Sequence, residues 1–285
     1  MKTTNPQKRS IMEQVYKFGL SSISRLNSFL PEAANSGSYI LCYHAIDNDN
    51  WSFTITPNDF VKQMEYLKKS KNIVKLSEII SPDSKKDNNQ VAITFDDGYE
   101  SVCQNALPIL RKLKIPATVF VLGDNVNPDR KEMSENKKLL SIQQIKELHQ
   151  VGWEIGFHSK THAYTRALDK NRLRKEIING KKEFEEKLGI SLRYFAYPRG
   201  IYTDKIIRTV KKAGFEAAFT VDGEALKKTI DPYRIPRTVL DRNRDMQQFK
   251  ALLSPLGLWL GSKRISVLKL EEHLNYRIHK LTVNL

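Results

Sequence analysis

Two carboxylates stand side by side in Val91-Ala-Ile-Thr-Phe-Asp-Asp-Gly-Tyr99, directly after residues suited to a buried strand. Adjacent carboxylates repel each other, so such a pair calls for a cation or a shared proton. The strand is expected to stop at Phe95, and Gly98 lets the backbone turn tightly before a helix begins near Tyr99. Consecutive side chains diverge at such a point, so Asp96 and Asp97 can meet different partners. One can hold a metal while the other takes a proton. An arbitrary Asp-Asp-Gly is more often a helix cap followed by a turn; the rest of the chain weighs against that reading here.

His158-Ser-Lys-Thr-His162 supplies two imidazoles four residues apart, in a chain with 6 histidines. From a helical turn or a compact loop both can reach one ion. Adding one carboxylate makes the set that binds zinc, or a harder divalent cation, and leaves positions open for water and substrate. Asp97 is the expected third ligand. Such an ion polarises a carbonyl oxygen and lowers the pKa of bound water. Asp96 is then placed to act as general base, and His44 to protonate the leaving group. The Pro198-Arg199-Gly200 turn, preceded by Tyr197, offers backbone N–H groups to an oxyanion. This is the chemistry of amide or ester hydrolysis.

The elements that must carry these residues can be read in order. Tyr39–Ile46 reads as a strand with His44 near its C-terminal end, and Thr56-Pro57 opens a helix running to about Lys69. A short strand at Asn72–Val74 precedes the polar loop 81–89. Past the strand at Asp96 and its helix Tyr99–Leu113, Pro116–Leu122 reads as another strand. Ser141-Ile-Gln-Gln144 reads as a capping box for a helix ending near Gly152. Trp153–Phe157 is a strand, 170–188 a charged helix, and Arg193–Tyr197 a strand leading to the helix Thr203–Ala213. Strands at Ala217–Thr220 and Arg234–Val239 and a helix at 246–253 complete the body.

Strands and helices alternate about seven times, which predicts an α/β chain with a parallel sheet closed, or nearly closed, into a barrel. Active sites of α/β barrels lie at the C-terminal ends of the strands. His44, Asp96/Asp97, His158/His162 and 198–200 all follow strands. Four strand ends converging on one pocket is the strongest feature of the sequence.

Composition sets the wider limits. With 285 residues, 40% hydrophobic and 28% charged, the chain has the make-up of a globular protein with one large domain or two small ones. No run approaches the roughly 18 apolar residues of a membrane span. The start of the chain lacks the pattern of a signal peptide. Cys42 and Cys103 make no disulfide framework and read as two buried free thiols. The net charge of +15 is spread along the chain and interleaved with Glu, without an isolated basic block, so it reads mostly as solvated helix faces. Ser10–Leu30 has helical spacing of apolar residues with Lys17 and Arg25; it reads equally as an interfacial helix touching an anionic membrane or as a helix packed on the domain or a partner. The expected organisation is a tail and helix over 1–37, a catalytic barrel over 38–255 and a tail over 256–285.

Thr94-Phe-Asp-Asp-Gly98, His158-Ser-x-x-His162 and Phe195-Ala-Tyr-Pro-Arg-Gly200 resemble the first three motifs of the polysaccharide deacetylases, the NodB-homology carbohydrate esterases. The resemblance covers roughly 38–255. It implies a distorted (β/α) barrel that removes N- or O-acetyl groups from sugars with a divalent metal, Asp96 as base, and Asp97, His158 and His162 as ligands. Two departures stand out: Ala196 occupies the position where many members carry the Arg that pairs with the base, and Arg199 the position where many carry Tyr. Tyr43-His44 is similar to the exopolysaccharide-modifying branch, in which the acid histidine is displaced to the first strand. Arg237, in Arg234-Ile-Pro-Arg237, or Arg199 is the expected substitute partner for Asp96.

The expectation is therefore a deacetylase of N-acetylated glycans or glycolipids that uses one divalent ion, zinc before cobalt, nickel or manganese. It carries no specific nucleic-acid partner, since no aromatic-basic interleaving accompanies the charge. Cytoplasmic residence, at most peripheral to the membrane, is expected. A sugar-binding relic of the fold and a hydrolase of non-sugar C–N bonds are the alternatives.

Overall fold

The structure is a computed structural model that describes residues 37–81, 89–125, 128, 133–134, 137–226, 231–254 and 257, together with 18, 19 and 22. The helix expected over Ser10–Leu30, the loop 82–88 and the tail 256–285 lie outside the described residues, apart from those few positions. Among the described residues no helix is long and apolar enough to cross a membrane.

Among the described residues the strands are β1 (Tyr39–Tyr43), β2 (Ala45–Ile46), β3 (Thr54–Ile55), β4 (Asn72–Ile73), β5 (Gln90–Phe95), β6 (Thr118–Val121), β7 (Glu154–Phe157), β8 (Tyr194–Ala196), β9 (Ala217–Phe219) and β10 (Thr238–Val239). Their main sheet runs in the order β10-β1-β5-β6-β7-β8-β9, with every neighbour parallel. Ile235 forms a parallel bridge to Phe219, and three residues on Thr238 is in register with Leu41. One segment thus bridges β9 at one end and pairs with β1 at the other, and the sheet curls into a distorted barrel.

The distortion has a local cause. β6 meets β5 only at its upper end, with Thr94 opposite Thr118 and Phe95 opposite Val119. Below that point β4 takes its place beside β5. The short helix after β4, Leu76–Ile79, presents its N-terminus to β7, where the Glu154 carboxylate accepts from the Leu76 and Ser77 N–H groups at 3.0 and 3.2 Å and from Thr118 Oγ1 at 2.9 Å. A carboxylate against a helix N-terminus satisfies orphaned donors and opposes the helix dipole.

Side chains alternate strictly along the strands. Leu41, Tyr43, Val91, Ile93, Phe95, Val119, Ile155, Phe157 and Phe195 face outward and pack under the helices in the larger core. Ile40, Ala92, Phe120, Tyr194, Ala196, Ala217, Phe219 and Ile235 fill the barrel itself. The inward set consists of every second residue, and its continuation at the strand ends is polar.

Helix starts follow the expected chemistry. Thr56 Oγ1 accepts from the Asp59 N–H at 3.1 Å, ahead of α1 (Pro57–Ser70). Ser141 and Gln144 cap each other's backbone ahead of Ile142–Gln150. Other elements depart from expectation. The strand expected over Tyr39–Ile46 breaks at His44, and β2 leaves the sheet to pair with β3. The helix expected from Tyr99 begins with a π-helical turn, Val102–Ala106, before Leu107–Leu113. Pro108 accounts for it: proline has no N–H and its ring crowds the carbonyl four residues back. The long charged helix is likewise divided, by a π-helical turn at Lys175–Asn179. Cys42 is buried as expected, whereas Cys103 is only half-buried, because it sits on that first π-helical turn rather than in a strand.

Candidate active site

Inward alternation carries Cys42 on β1, Thr94 and then Asp96 on β5, and Gly156 and then His158 on β7 toward the same end of the barrel. Asp96 is buried there, with its N–H bonded to the Tyr43 carbonyl at 2.9 Å. Its carboxylate is gripped by Arg237, whose two terminal nitrogens reach Oδ1 and Oδ2 at 2.6 Å each. The guanidinium is fully buried; it also donates to Thr94 Oγ1 and the Thr220 carbonyl, both at 3.2 Å, and lies 5.0 Å from the Phe120 ring centre. Cys42 Sγ donates to Asp96 Oδ2 at 3.3 Å. Burial raises the carboxyl pKa, but the Arg237 charge and hydrogen bonds, with the charges of His158 and His44, together outweigh it and hold Asp96 below the usual carboxylate range.

Alternation would send Asp97 to the outer face. Its left-handed backbone, φ 68°, followed by Gly98 at φ 71°, turns it back to the rim. Gly98 is required twice over, because a Cβ there would meet Val121 Cγ1 at 2.9 Å. His158 Nε2 and His162 Nε2 then stand 3.3 and 3.6 Å from the same oxygen, Asp97 Oδ1. His158 Nδ1–H donates to the Ala196 carbonyl at 2.9 Å, which leaves Nε2 as the lone-pair nitrogen facing Asp97. Asp97 and His162 are both buried.

The loop holding the two imidazoles is clamped. His162 takes φ 62° and its N–H donates to Ser159 Oγ at 3.1 Å. Glu176, in the Lys175–Asn179 turn, accepts from the Thr161 N–H at 2.9 Å and the Thr161 hydroxyl at 2.8 Å, while its carbonyl takes the Lys160 N–H at 3.0 Å. Burial pushes His162 down to about 4, aided by the charges of His158 and Arg199 and opposed by Asp97. Asp97 is held well below the usual range: burial raises it, and the surrounding imidazoles outweigh that. His158 goes up despite its burial, because Asp96 and Asp97 favour its cationic form.

These three residues fit a divalent cation. One carboxylate oxygen and one nitrogen from each imidazole lie within 4.8 Å of one another, and Asp97 Oδ1 and His162 Nδ1 are buried without a hydrogen-bond partner. A mixed oxygen and nitrogen set of three leaves coordination positions for water and substrate.

His44 stands at the break after β1, with its ring 4.9 Å from Phe53 and 6.0 Å from Trp51 between centres. A ring nitrogen of His44, Cys42 Sγ and an Asp96 oxygen also lie within 4.8 Å of one another. Burial pushes the His44 pKa down, against the pull of Asp97 and Asp96.

The turn after β8 contributes less than expected. Pro198 has no N–H, the Tyr197 N–H donates to the Phe219 carbonyl at 3.0 Å, and the Gly200 N–H closes the turn on the Tyr197 carbonyl at 2.8 Å. Two of the three N–H groups expected to face an oxyanion are therefore committed. The Tyr197 ring faces outward into the core and its hydroxyl donates to the Tyr233 carbonyl at 3.0 Å, so it supports the rim from behind rather than meeting substrate. Of the two candidate partners for Asp96, Arg237 is in contact; the Arg199 guanidinium lies over Tyr164, 5.3 Å from the ring centre. The sequence reading did not assign Cys42, Thr94 or Glu176 to the site. The two-residue step from Cys42 to His44 and from Thr94 to Asp96 would have placed the first two.

The family model for polysaccharide deacetylases matches residues 83–218. The chain is 26% identical over 236 residues to the poly-beta-1,6-N-acetyl-D-glucosamine N-deacetylase of Staphylococcus aureus (strain MRSA252), covering 79% of this chain and 80% of that one. It superposes on IcaB from Ammonifex degensii with a TM-score of 0.66 and 28% identity, covering 76% of this chain and 97% of that one. A polysaccharide deacetylase from Bacillus cereus gives 0.65 and 25%, covering 76% and 69%. The matched stretch holds Asp96, Asp97, His158, His162 and the 198–200 turn; His44 and Arg237 lie outside it and complete the same rim. By fold, by motif and by these comparisons, the chain is similar to the polysaccharide deacetylases, and among them to the exopolysaccharide-modifying ones.

Proposed function

We propose that this protein removes acetyl groups from the N-acetylated amino sugars of a polysaccharide or glycolipid, with one divalent cation, zinc in the first instance, held by Asp97, His158 and His162. The observation that carries this reading is the division of labour between adjacent carboxylates: Asp97 faces two imidazoles, while Asp96 is turned away onto Arg237.

The cation would polarise the acetyl carbonyl and acidify a water. Asp96 takes the proton of the attacking water as general base. Arg237 and Cys42 fix its two oxygens, so the carboxylate does not swing toward the Asp97 cluster. As the C–N bond breaks, the amine nitrogen needs a proton, and His44 is the donor in this reading. Burial lowers the His44 pKa, and one of its ring nitrogens lies within 4.8 Å of an Asp96 oxygen, close enough to receive the proton that Asp96 has taken and pass it to the amine. Acetate and a free amino sugar result, with the proton balance closed. The Ala196 carbonyl keeps His158 in one tautomer throughout.

The Staphylococcus aureus relative is named as an N-deacetylase of poly-beta-1,6-N-acetyl-D-glucosamine, which supports such a polymer as first substrate. The test is acetate release from β-1,6-linked N-acetylglucosamine oligomers by zinc-loaded protein, with simple aryl acetamides alongside. Release from the sugars is expected; release from the aryl amides alone would replace the glycan by a non-sugar C–N substrate.

A further inference from the structure

Cys42, His44 and Asp96 bring a second set of ligand atoms together, and none of them belongs to the Asp97, His158 and His162 set. The register of β1 on β5 explains their meeting. Cys42 stands opposite Thr94 and Tyr43 opposite Phe95, so the next pair, His44 and Asp96, is level where the two strands end. Cys42 Sγ, a ring nitrogen of His44 and an Asp96 oxygen then lie within 4.8 Å of one another.

The distances suit a cation in the place of one proton. With bonds of about 2.3 Å to sulfur and about 2.1 Å to oxygen, the two ligands of a tetrahedral zinc stand about 3.6 Å apart. Cys42 Sγ and Asp96 Oδ2 are 3.3 Å apart, joined by the thiol hydrogen. Arg237 places one N–H on each Asp96 oxygen, which leaves a further lone pair on Oδ2 for the thiol or its replacement. His44 Nδ1 is buried without a hydrogen-bond partner, and the ring is held between Phe53 and Trp51. Cys42 and Asp96 are buried, whereas His44 is only partly so and forms the open side of the group.

We propose that Cys42, His44 and Asp96 form a second, inhibitory metal site that takes sulfur-seeking dications, cadmium and excess zinc. The thiolate sets it apart from the oxygen and nitrogen set around Asp97, because sulfur selects softer ions. Binding breaks the S–H bond: the sulfur keeps the electron pair and gives it to the cation, and the proton leaves to solvent. No oxidation or reduction takes place. The site is weaker than the first, since a proton must be displaced and the Arg237 charge opposes the incoming ion. Filling it occupies an oxygen of the base and a nitrogen of the acid, so turnover stops. That inhibition, unlike the binding, rests on the deacetylase reading.

The experiment uses full-length protein with Cys103→Ser, which leaves Cys42 as the one thiol of the 2 in the chain. Protein reloaded with one zinc per chain is titrated with cadmium. A thiolate-to-cadmium absorption band should grow to one further ion per chain and be missing in Cys42→Ala. Acetate release should fall by about tenfold or more as the band grows, because base and acid are both taken. Cys42→Ala and Cys42→Ser, each measured against its own one-zinc rate, should need about tenfold more cadmium or higher for the same fall, at least the cost of losing a supporting group at a metal site. Cys42→Ser retains a donor to Asp96 and serves if the alanine variant does not fold. No thiolate band in the wild-type Cys42 protein, or unchanged cadmium sensitivity in the Cys42 variants, would overturn the second site. A protein that shows the band yet releases no acetate at any metal level keeps the site and loses the deacetylase reading.

Discussion

Arg237 closes a bidentate pair on Asp96 from 141 residues away in sequence, 2.6 Å to each oxygen, with both partners buried. Removing one member of a buried pair leaves an uncompensated charge, which costs about 3–5 kcal/mol. Arg237→Met should destabilise by that order in urea melts. The combined Asp96→Asn, Arg237→Met variant should regain much of the loss and remain inactive. Asp96→Asn alone should keep its metal and lose about 10²–10⁴ in kcat; an Asn variant with near-normal turnover would remove Asp96 as base.

Cys42 donates to the second Asp96 oxygen. Burial raises its thiol pKa well above the ordinary value, so it acts as a neutral donor. Cys42→Ala should lower kcat about fivefold, the value of one modest hydrogen bond, and Cys42→Ser should lose less. In thiol titration only Cys103 should react in the folded protein, with Cys42 reacting on unfolding.

Acid should weaken the metal-free fold through His162. Its folded pKa of about 4 lies below the unfolded 6.5, so between these values the unfolded chain binds more protons. The contribution is complete above 6.5, falls as pH drops through that window, and amounts to roughly 3 kcal/mol. His44, also pushed down, acts in the same sense; His158, pushed up, acts in the opposite one. Melting temperatures across pH 4–7 for wild type and His162→Gln isolate the His162 part. A variant with an unchanged slope would contradict the assignment.

Much of this was legible in the residues because strand ends and two-residue alternation are local signals. Asp96, His158 and Cys42 follow directly from the parity of their strands. Asp97 does not: parity points it outward, and only the left-handed turn through Gly98 returns it. Arg237 was legible as a candidate but not as the choice over Arg199, since that depends on how the 234–239 segment spans the barrel between β9 and β1. The Tyr197–Gly200 turn was over-read, because a motif does not reveal which N–H groups the backbone has already used. The division of β5 between β4 and β6 has no local signature at all.

Glu154 holds that division together. Glu154→Gln should cost about 1–2 kcal/mol by weakening three accepted hydrogen bonds at a helix N-terminus, without lowering kcat per folded molecule. A variant as stable as wild type would show that the β4 insertion is held by packing alone.

The measurement that tests the central claim most directly is metal stoichiometry after stripping and reloading with zinc or cobalt, for wild type, Asp96→Asn and His158→Ala. The account predicts close to one tightly held ion per chain in wild type and Asp96→Asn, and loss of it in His158→Ala. No tight site in the wild type, or retention by His158→Ala, would contradict it.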